Sequence, residues 1–205
     1  MKKILLFLVA IILCIVFAIP VFAANTTWNP SDKNAAISLA SGNLYASYAA
    51  GGSFVGVRAT NSKSSGAYAF SITTPVNGGD IFVGIGNASA TLSNYIGQDA
   101  NGIGYNASNG DLYTNGGIAH TGGAAFNTTN TMTVAVNLTA NTVSFYKDGV
   151  AQYTGIPIPF AGAVYPMIAL FTASDSAIGI FYGGPAGFFG FDSALPPTGF
   201  FILFH

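Results

Sequence analysis

The amino-acid sequence predicts an all-β protein in which two antiparallel sheets stack as a two-layer sandwich. The chain of 205 residues contains no Glu, and charged residues make up only 6% of it. Helices of soluble proteins usually carry charged residues on their exposed faces, so this composition disfavours helices. Aromatic residues make up 14% of the chain and 26 residues are Gly, which is typical of strands separated by frequent turns.

The first 23 residues have the pattern of a secretory signal peptide. Lys2 and Lys3 precede an apolar run from Ile4 to Ile19, and Pro20 breaks the run before Val21-Phe22-Ala23. This order of charge, apolar stretch and small-residue exit is typical of a segment that is removed after export. The run is also just long enough to span a bilayer of ~30 Å, so an uncleaved single-pass anchor is the alternative. Both interpretations predict a secreted or cell-surface protein.

The remaining chain, residues 27–205, is predicted to be one domain without disulfides. The single cysteine, Cys14, lies in the apolar run of the signal. Without the signal, four Lys and Arg residues stand against seven Asp, a formal charge of −3. This balance offers no basic patch for phosphates and disfavours nucleic acid as a partner. Contact with a membrane is expected only through the N-terminal segment, if it stays uncleaved.

Short alternating runs predict four strands in the first half of the domain. They cover Ala35 to Ala40, Leu44 to Tyr48, Gly66 to Thr74 and Ile81 to Ile85. Typical turn sequences, Ser41-Gly42-Asn43 and Asn77-Gly78-Gly79-Asp80, separate them. Tyr68, Phe70 and Ile72 fall on one face of the third strand because successive side chains of a strand alternate. The unbroken apolar run of the fourth predicts a central, buried strand.

The strongest strand signal is a hairpin from Thr133 to Tyr146. Val134, Val136 and Leu138 share one face of the first arm, and Val143 and Phe145 face inward on the second. Burying these five side chains contributes roughly 1.5–3 kcal/mol each before the entropy cost. Thr139-Ala140-Asn141 connects the arms, and Asp148-Gly149 predicts a two-residue turn because both positions tolerate positive φ. Further strands are predicted from Tyr165 to Phe171 and from Ala177 to Tyr182.

Several of these segments resemble, in chain order, the SPRY domain family. Gly66 to Ile72 is similar to the family's G-K-W-Y-F-E-V strand, and Tyr165 to Leu170 to its Y-P-A-V-S-L strand. The hairpin that ends in Ser144-Phe145-Tyr146-Lys147-Asp148-Gly149 is similar to the family's G-V-A-L-D followed by G-T-V-S-F-Y-K-N-G. The segment from Thr91 to Tyr105 resembles the family's segment between the first strand and this hairpin. The likeness runs from Trp28 to about Gly183 and is greatest to the compact SPRY domains of bacteria and phages. It implies a bent, lectin-like (concanavalin-like) jelly-roll sandwich with binding loops at one edge. It does not imply one ligand, since function lies in the loops.

The binding candidates lie between Tyr95 and His120, which the sequence predicts to be a loop segment. Tyr offers a rigid amphipathic surface, and Asn offers both donors and acceptors, so this composition suits peptide amides or sugar hydroxyls. His120 stands between glycine pairs and is expected in a flexible loop, whereas the family counterpart of Tyr105 implies a core position. The candidate ligand-binding residues are Tyr95, Asp99, Asn101, Asn106, Asn109, Asp111, Tyr113, Asn115 and His120. We therefore predict a non-catalytic module that binds a protein or glycan partner and needs no cofactor or metal.

Two alternatives are weighed against this prediction. A glycoside hydrolase usually needs two carboxylates about 5–10 Å apart, and only seven Asp are available to supply them. A structural or adhesive surface component would assemble through the Phe-rich C-terminus, although a closing strand is the simpler interpretation of that region. The C-terminal apolar residues are Phe188, Phe189, Phe191, Phe200, Phe201, Ile202, Leu203 and Phe204.

Overall fold

The computed structural model describes residues 25–193, which form two stacked β-sheets. The strands, in chain order, are β1 (Trp28–Lys33), β2 (Ile37–Ala40), β3 (Tyr45–Tyr48), β4 (Val55–Ala59), β5 (Ala67–Val76), β6 (Phe82–Gly86), β7 (Gly102–Asn106), β8 (Leu112–Thr114), β9 (Gly117–His120), β10 (Thr131–Asn137), β11 (Thr142–Lys147), β12 (Val150–Pro157), β13 (Tyr165–Leu170), β14 (Ser176–Ile180) and β15 (Phe189–Gly190). Among these described residues, none belongs to a helix long and apolar enough to cross a membrane. The predicted all-β sandwich is confirmed.

The seven-stranded sheet has β6 at its centre, in the order β1-β4-β13-β6-β7-β8-β9. All five residues of β6 are buried, as predicted for the apolar run at Ile81–Ile85. Val83 and Ile85 belong to the core between the sheets, whereas Phe82 belongs to a smaller cluster on the outer side. A strand that is buried on both faces must pack against other residues on both sides. On the outer side of β6, these residues come from the connection of residues 87–101.

The eight-stranded sheet has the order β12-β11-β10-β5-β14-β3-β2, with β15 beside β5. The predicted hairpin is β10 and β11, in which Val134 pairs with Phe145 and Val136 with Val143. These four side chains are fully buried. Leu138 follows the strand and is only partly buried against the same core. The hairpin is therefore confirmed, with its first arm ending one residue earlier than predicted.

Aromatic rings from both sheets fill the space between them. Trp28 of β1 meets Phe181, after β14, edge to face at 5.0 Å between ring centroids. Tyr105 of β7 lies 5.7 Å from Phe145 of β11, and Tyr105 is fully buried, as the family resemblance implied. Offset and edge-to-face arrangements at these distances add to the area term of the hydrophobic effect.

An ion pair ties β1 to β4, two strands that the sequence analysis does not predict individually. The Arg58 guanidinium donates from Nε and Nη2 to the two oxygens of Asp32, at 2.7 and 2.8 Å. Its Nη1 donates to the Ala90 carbonyl at 2.6 Å. Since Arg58 is only 7% exposed, this bidentate arrangement satisfies a charge that would otherwise be costly to bury.

The Phe-rich C-terminal region begins as a closing strand. β15 pairs in parallel with β5 and places Phe189 beside Tyr68. Phe191 is fully buried, 5.7 Å from Tyr68 and 5.8 Å from Phe70 between ring centroids. The closing-strand interpretation is confirmed for this part. Phe200, Phe201, Ile202, Leu203 and Phe204, like the signal predicted at 1–23, lie outside the described residues.

The two ends of the described chain lie side by side. The Thr26 backbone N–H donates to the Asp192 carboxylate, and the Lys63 ammonium donates to the Ser193 carbonyl at 2.7 Å. The same ammonium lies 4.5 Å above the centre of the Tyr68 ring. These contacts attach both ends beside β1, at one edge of the seven-stranded sheet.

Candidate functional site

The segment from Tyr95 to His120 contains three strands, which corrects the expected loop segment. β7, β8 and β9 form one side of the seven-stranded sheet. His120 ends β9 and does not lie in a flexible loop. The glycines caused the error: Gly102 and Gly104 alternate with apolar residues, which is strand periodicity, but glycine is also the commonest turn former.

The connection between β6 and β7, residues 87–101, crosses the outer face of this sheet. A Cβ on Gly104 would lie 2.6 Å from the Ile96 carbonyl oxygen, and one on Gly86 would lie 2.7 Å from the Ala90 Cβ. These separations leave no room for a side chain, so glycine lets the connection lie directly on the sheet. The connection thereby covers the outer side of β6 and β7.

Tyr95 and Tyr113, two of the predicted site residues, meet in an aromatic cluster on this outer face. Their ring centroids are 5.5 Å apart, and Phe82 lies 5.2 Å from Tyr95 and 5.3 Å from Tyr113. Burial, and then the proximity of Tyr113, raise the pKa of Tyr95. Its hydroxyl donates to the Gly116 carbonyl at 3.3 Å. Both tyrosines are half-buried, so the cluster fixes their rings and leaves part of each exposed.

Three polar candidates hold the backbone of the connection and the turn after β7. Asp99 accepts hydrogen bonds from two backbone N–H groups at 2.8 and 2.9 Å. Asn101 accepts a 3.2 Å bond from the Asn87 side chain. Asn106 is 7% exposed, and its side-chain oxygen accepts from the N–H and hydroxyl of Ser108. These side chains position the surface, and their oxygen atoms are engaged within the domain.

Three further candidates shape the turns on either side of β8. Asn109 accepts from the Asp111 N–H at 2.9 Å and donates to the Tyr113 hydroxyl at 3.3 Å. Asn115 has a φ of 50° and starts the tight Asn115-Gly116 turn into β9. Asn109 and Asn115 are exposed and Asp111 is half-buried. The two asparagines therefore present amide groups at the surface while each also supports a turn.

β9 is an exposed edge strand. All four of its residues are exposed, and Ile118 is exposed to 54%. Among the described residues β9 pairs only with β8, so its outer backbone edge has no strand partner. The strand carries no charged residue and no proline, the usual devices by which proteins block an edge. His120 at its end lies 6.0 Å from the Tyr153 ring of β12.

Two tyrosine hydroxyls hold the chain that follows β9. Tyr105 donates to the Ala124 carbonyl at 2.6 Å. Tyr153 donates to the Gly110 carbonyl at 2.9 Å and accepts from the Gly123 N–H at 2.8 Å. Burial raises the pKa of both phenols, which keeps them hydrogen-bond donors further into the alkaline range. The segment that follows β9 is thus attached to the domain by hydrogen bonds at Gly123 and Ala124.

Most Asp carboxylates of the described residues serve structural contacts. Asp175 is fully buried and accepts from three backbone N–H groups. Asp148 accepts from the Thr131 N–H at 2.8 Å, and Asp32 is paired with Arg58. Within residues 25–193 no group of three or more His, Cys, Asp or Glu side chains could hold a metal ion.

The chain is similar in sequence to two Ran-binding proteins. Ran-binding protein 10 of Danio rerio and Ran-binding protein 9 of Homo sapiens are each 28% identical to it over 160 residues. These matches cover 73% of this chain but only 26% and 21% of the two relatives, so the chain spans about a quarter of their length.

Solved structures show the same fold at lower identity. The SPRY domain of human HERC1 matches with a TM-score of 0.66 and 19% identity, over 75% of this chain and 96% of that one. The TRIM65 PSpry domain matches with a TM-score of 0.62 and 14% identity, over 76% and 91%. SPRY domains are generally non-catalytic interaction modules. Because the SPRY domain family model matches residues 67–184, more than half of the sequence, this chain belongs to the SPRY domain family.

Proposed function

We propose that this domain is a non-catalytic protein-recognition module whose partner contacts the β8–β9 surface. We define the β8–β9 surface as strands β8 and β9 together with Tyr95, Asn109 and Asn115. The relatives named Ran-binding proteins favour a protein partner over other classes of ligand. Which protein binds here does not follow from those names, since the shared part is a small fraction of each relative.

The observation that carries the proposal is the unpaired outer edge of β9. Its four exposed residues leave backbone donors and acceptors available to an extended segment of a partner, which would add a strand to the seven-stranded sheet. Main-chain hydrogen bonds would supply affinity in this mode, and side chains beside the edge would supply specificity. Ile118 is the apolar side chain placed to do so.

The surface around β9 is preorganised, which favours recognition. Tyr95 and Tyr113 are held by ring contacts with Phe82, and Asn109 is bonded to the Tyr113 hydroxyl. Side chains that are already fixed lose little conformational freedom when a partner binds. Tyr and Asn also combine contact area with adaptable hydrogen bonding, as in other binding surfaces.

Peptide selection tests the proposal. Random peptides displayed on phage would be selected on residues 25–205, and the dissociation constant of each selected peptide would be measured for variants. We expect Ile118→Asp to weaken binding at least about tenfold, because it places a charge against the paired segment. Val150→Asp on β12, another edge strand, is the matched control since Val150 is 64% exposed. Equal loss with both variants, or no loss with Ile118→Asp, would contradict the proposal.

We also propose that the chain is exported, with residues 1–23 acting as its signal. The charge, apolar run and Val21-Phe22-Ala23 exit support cleavage after Ala23. The mass and N-terminal sequence of the protein recovered from an expressing cell test this. A product that begins at Ala24 outside the membrane is expected; a product that retains Met1 in the membrane fraction would indicate an anchor instead.

Assembly through the Phe-rich C-terminus is the second candidate function. One observation favours it: Phe189 remains 45% exposed although its neighbours close the sandwich. Deletion of residues 198–205 would then abolish higher oligomers in light scattering while peptide binding stays intact. An unchanged molar mass after the deletion would remove this candidate.

A further inference from the structure

A groove on the outer face of the eight-stranded sheet lies apart from the β8–β9 surface. It encloses about 570 Å³, within the size range of small-ligand sites. Three neighbouring strands provide its floor, and the segment after β14 provides one wall. The lining residues are Ser71, Thr133, Tyr146, Gly149, Tyr182, Gly183, Gly184 and Pro185.

The floor is a row of hydroxyl-bearing side chains across three strands. Thr133 of β10 pairs in register with Ser71 of β5 on one side and with Tyr146 of β11 on the other. The Ser71 and Thr133 hydroxyls are bonded to each other at 2.7 Å, which leaves each with further hydrogen-bonding capacity. The Tyr146 hydroxyl has no hydrogen-bond partner within residues 25–193. With strands about 4.8 Å apart, the row spans roughly 10 Å.

The wall of the groove is fixed to the sheet at two glycines. A Cβ on Gly184 would lie 2.6 Å from the Ala69 Cβ, and one on Gly190 would lie 2.4 Å from the Phe181 carbonyl oxygen. The segment from Tyr182 to Gly190 can therefore approach β5 closely because Gly184 lacks a side chain, whereas Gly190 lets the two ends of the segment pack against each other. These contacts hold the wall of the groove against the sheet.

Tyr182 forms a ridge between this groove and a second cavity. Its side chain is 74% exposed and makes no hydrogen bond or ring contact with residues 25–193. The second cavity, of about 370 Å³, is also lined by Tyr182. Its other lining residues are partly polar (Asn25, Thr26, Thr27 and Ser41) and partly apolar (Leu44 and Phe181). An exposed aromatic ring thus borders both cavities, and we call the two cavities together with this ring the tract.

Asp192 is the one charged side chain among the residues that line the two cavities. No Asp, Glu, Lys, Arg or His lines the larger groove. The nearby Lys147 ammonium donates to the Ala125 carbonyl at 2.7 Å, and the Asp148 carboxylate caps Thr131. Asp192 lines the second cavity, but its carboxylate accepts from the Thr26 N–H. An uncharged occupant fits these walls better than an ion.

We infer that the tract binds a linear neutral polysaccharide, with one sugar ring stacked on Tyr182 and its neighbours in the two cavities. Sugar hydroxyls would bond the row formed by Ser71, Thr133 and Tyr146. An extended peptide fits this face poorly, because β5 and β10 are paired on both sides and offer it no free backbone groups. The inference goes beyond the protein-recognition role, since it concerns the opposite sheet and another class of ligand.

Affinity electrophoresis in native gels that contain a soluble polysaccharide tests the inference. The panel is laminarin, xylan, galactomannan and hydroxyethylcellulose, with alginate as a charged polymer. We expect at least one neutral polymer to retard residues 25–205 and alginate not to do so. Tyr182→Ala should raise the apparent dissociation constant about tenfold through loss of the ring, whereas Tyr182→Phe should retain binding.

Ile118→Ala is the matched control, because it trims an exposed apolar side chain at the β8–β9 surface and should leave retardation unchanged. Ser71→Ala provides a second variant in the floor and should weaken binding without unfolding, which circular dichroism checks. Migration unaffected by every neutral polymer would overturn the inference. Retardation that survives Tyr182→Ala, or that occurs with alginate alone, would overturn it as well. The peptide-binding result of the proposed function is independent of all these outcomes.

Discussion

At the residue scale, the sequence identifies the Asp148-Gly149 turn but does not separate turn formers from ligand-binding residues. Asp148 and Gly149 have φ values of 50° and 78°, as the predicted two-residue turn requires. Asp99 and Asn106 are candidates by the same chemistry, yet their oxygen atoms bond backbone or neighbouring groups of the domain. A side-chain oxygen that can bind a partner can equally bind a nearby N–H. Only the local fold decides which occurs.

Replacing Gly149 tests the turn at β11–β12. Gly149→Ala should lower the free energy of unfolding by about 1 kcal/mol, because an L-residue with a side chain is strained at positive φ. A Cβ there would meet nothing within 4 Å, so backbone strain is the only expected cause. Urea unfolding measures the difference. Gly149→Asn is the control and should lose less, since Asn tolerates this conformation; an equal loss would contradict the explanation.

The Tyr105 phenol should make the domain sensitive to alkaline pH. Burial raises its pKa, with added effects from Tyr153 and Asp111, so the folded state holds this proton more tightly than the unfolded state does. The resulting stability is complete below about pH 10, the unfolded value, and is lost as pH rises above it. Urea midpoints measured from pH 8 to pH 11 should fall at the alkaline end.

Tyr105→Phe separates this effect from general alkaline unfolding. The variant should be less stable at pH 8 by about 1 kcal/mol, through loss of the bond to the Ala124 carbonyl. Its midpoint should then decline less steeply above pH 10 than that of the wild type. Parallel pH curves for the two proteins would show that another group is responsible.

At the element scale, strands with regular apolar alternation or an unbroken apolar run are readable from sequence, and strands in which glycine alternates with apolar residues are not. β10 and β11 show regular apolar alternation, and their register agrees with it. β7 alternates Gly with apolar residues, so its outer positions resemble turns. The reason is the connection of residues 87–101 packed on that face, a contact that is distant from any local pattern. The sequence analysis also did not predict β8 and β9, which contain only three and four residues.

Gly104→Ala tests the role of glycine beneath that connection. Its Cβ would lie 2.6 Å from the Ile96 carbonyl oxygen and 2.7 Å from the Ile96 Cβ, so the connection must shift. We expect a loss of about 1–3 kcal/mol in the free energy of unfolding. Gly117→Ala is the matched control in β9, because its added methyl group would meet nothing within 4 Å and the change should be near neutral. Similar values for the two variants would refute the packing explanation.

At the scale of the whole molecule, the fold class and most strands of the eight-stranded sheet follow from the sequence, but the strand order does not. β13 lies between β4 and β6, and β14 lies between β5 and β3. These neighbours are far apart in the chain, and no local periodicity reports which strands pair. The family resemblance implied a two-sheet sandwich, whereas only the structure placed β9 at an edge and Tyr182 between two cavities.

Trp28 offers a direct test that the two sheets unfold together. It is the only tryptophan of the chain, it is fully buried, and its ring meets Phe181 from the other sheet. Its fluorescence should therefore shift to the red on unfolding, with the same urea midpoint as far-UV circular dichroism. Two separate midpoints would mean that the sheets open independently.

Thr26 and Asp192 lie side by side, and their position determines which edge of the domain points away from an attachment there. Both ends leave the sandwich beside β1, and β9 occupies the opposite margin of a seven-stranded sheet. Six inter-strand spacings separate the two margins, roughly 29 Å if the sheet were flat. A tether attached at either end would thus hold the domain by one flank and turn Ile118 outward, toward whatever approaches.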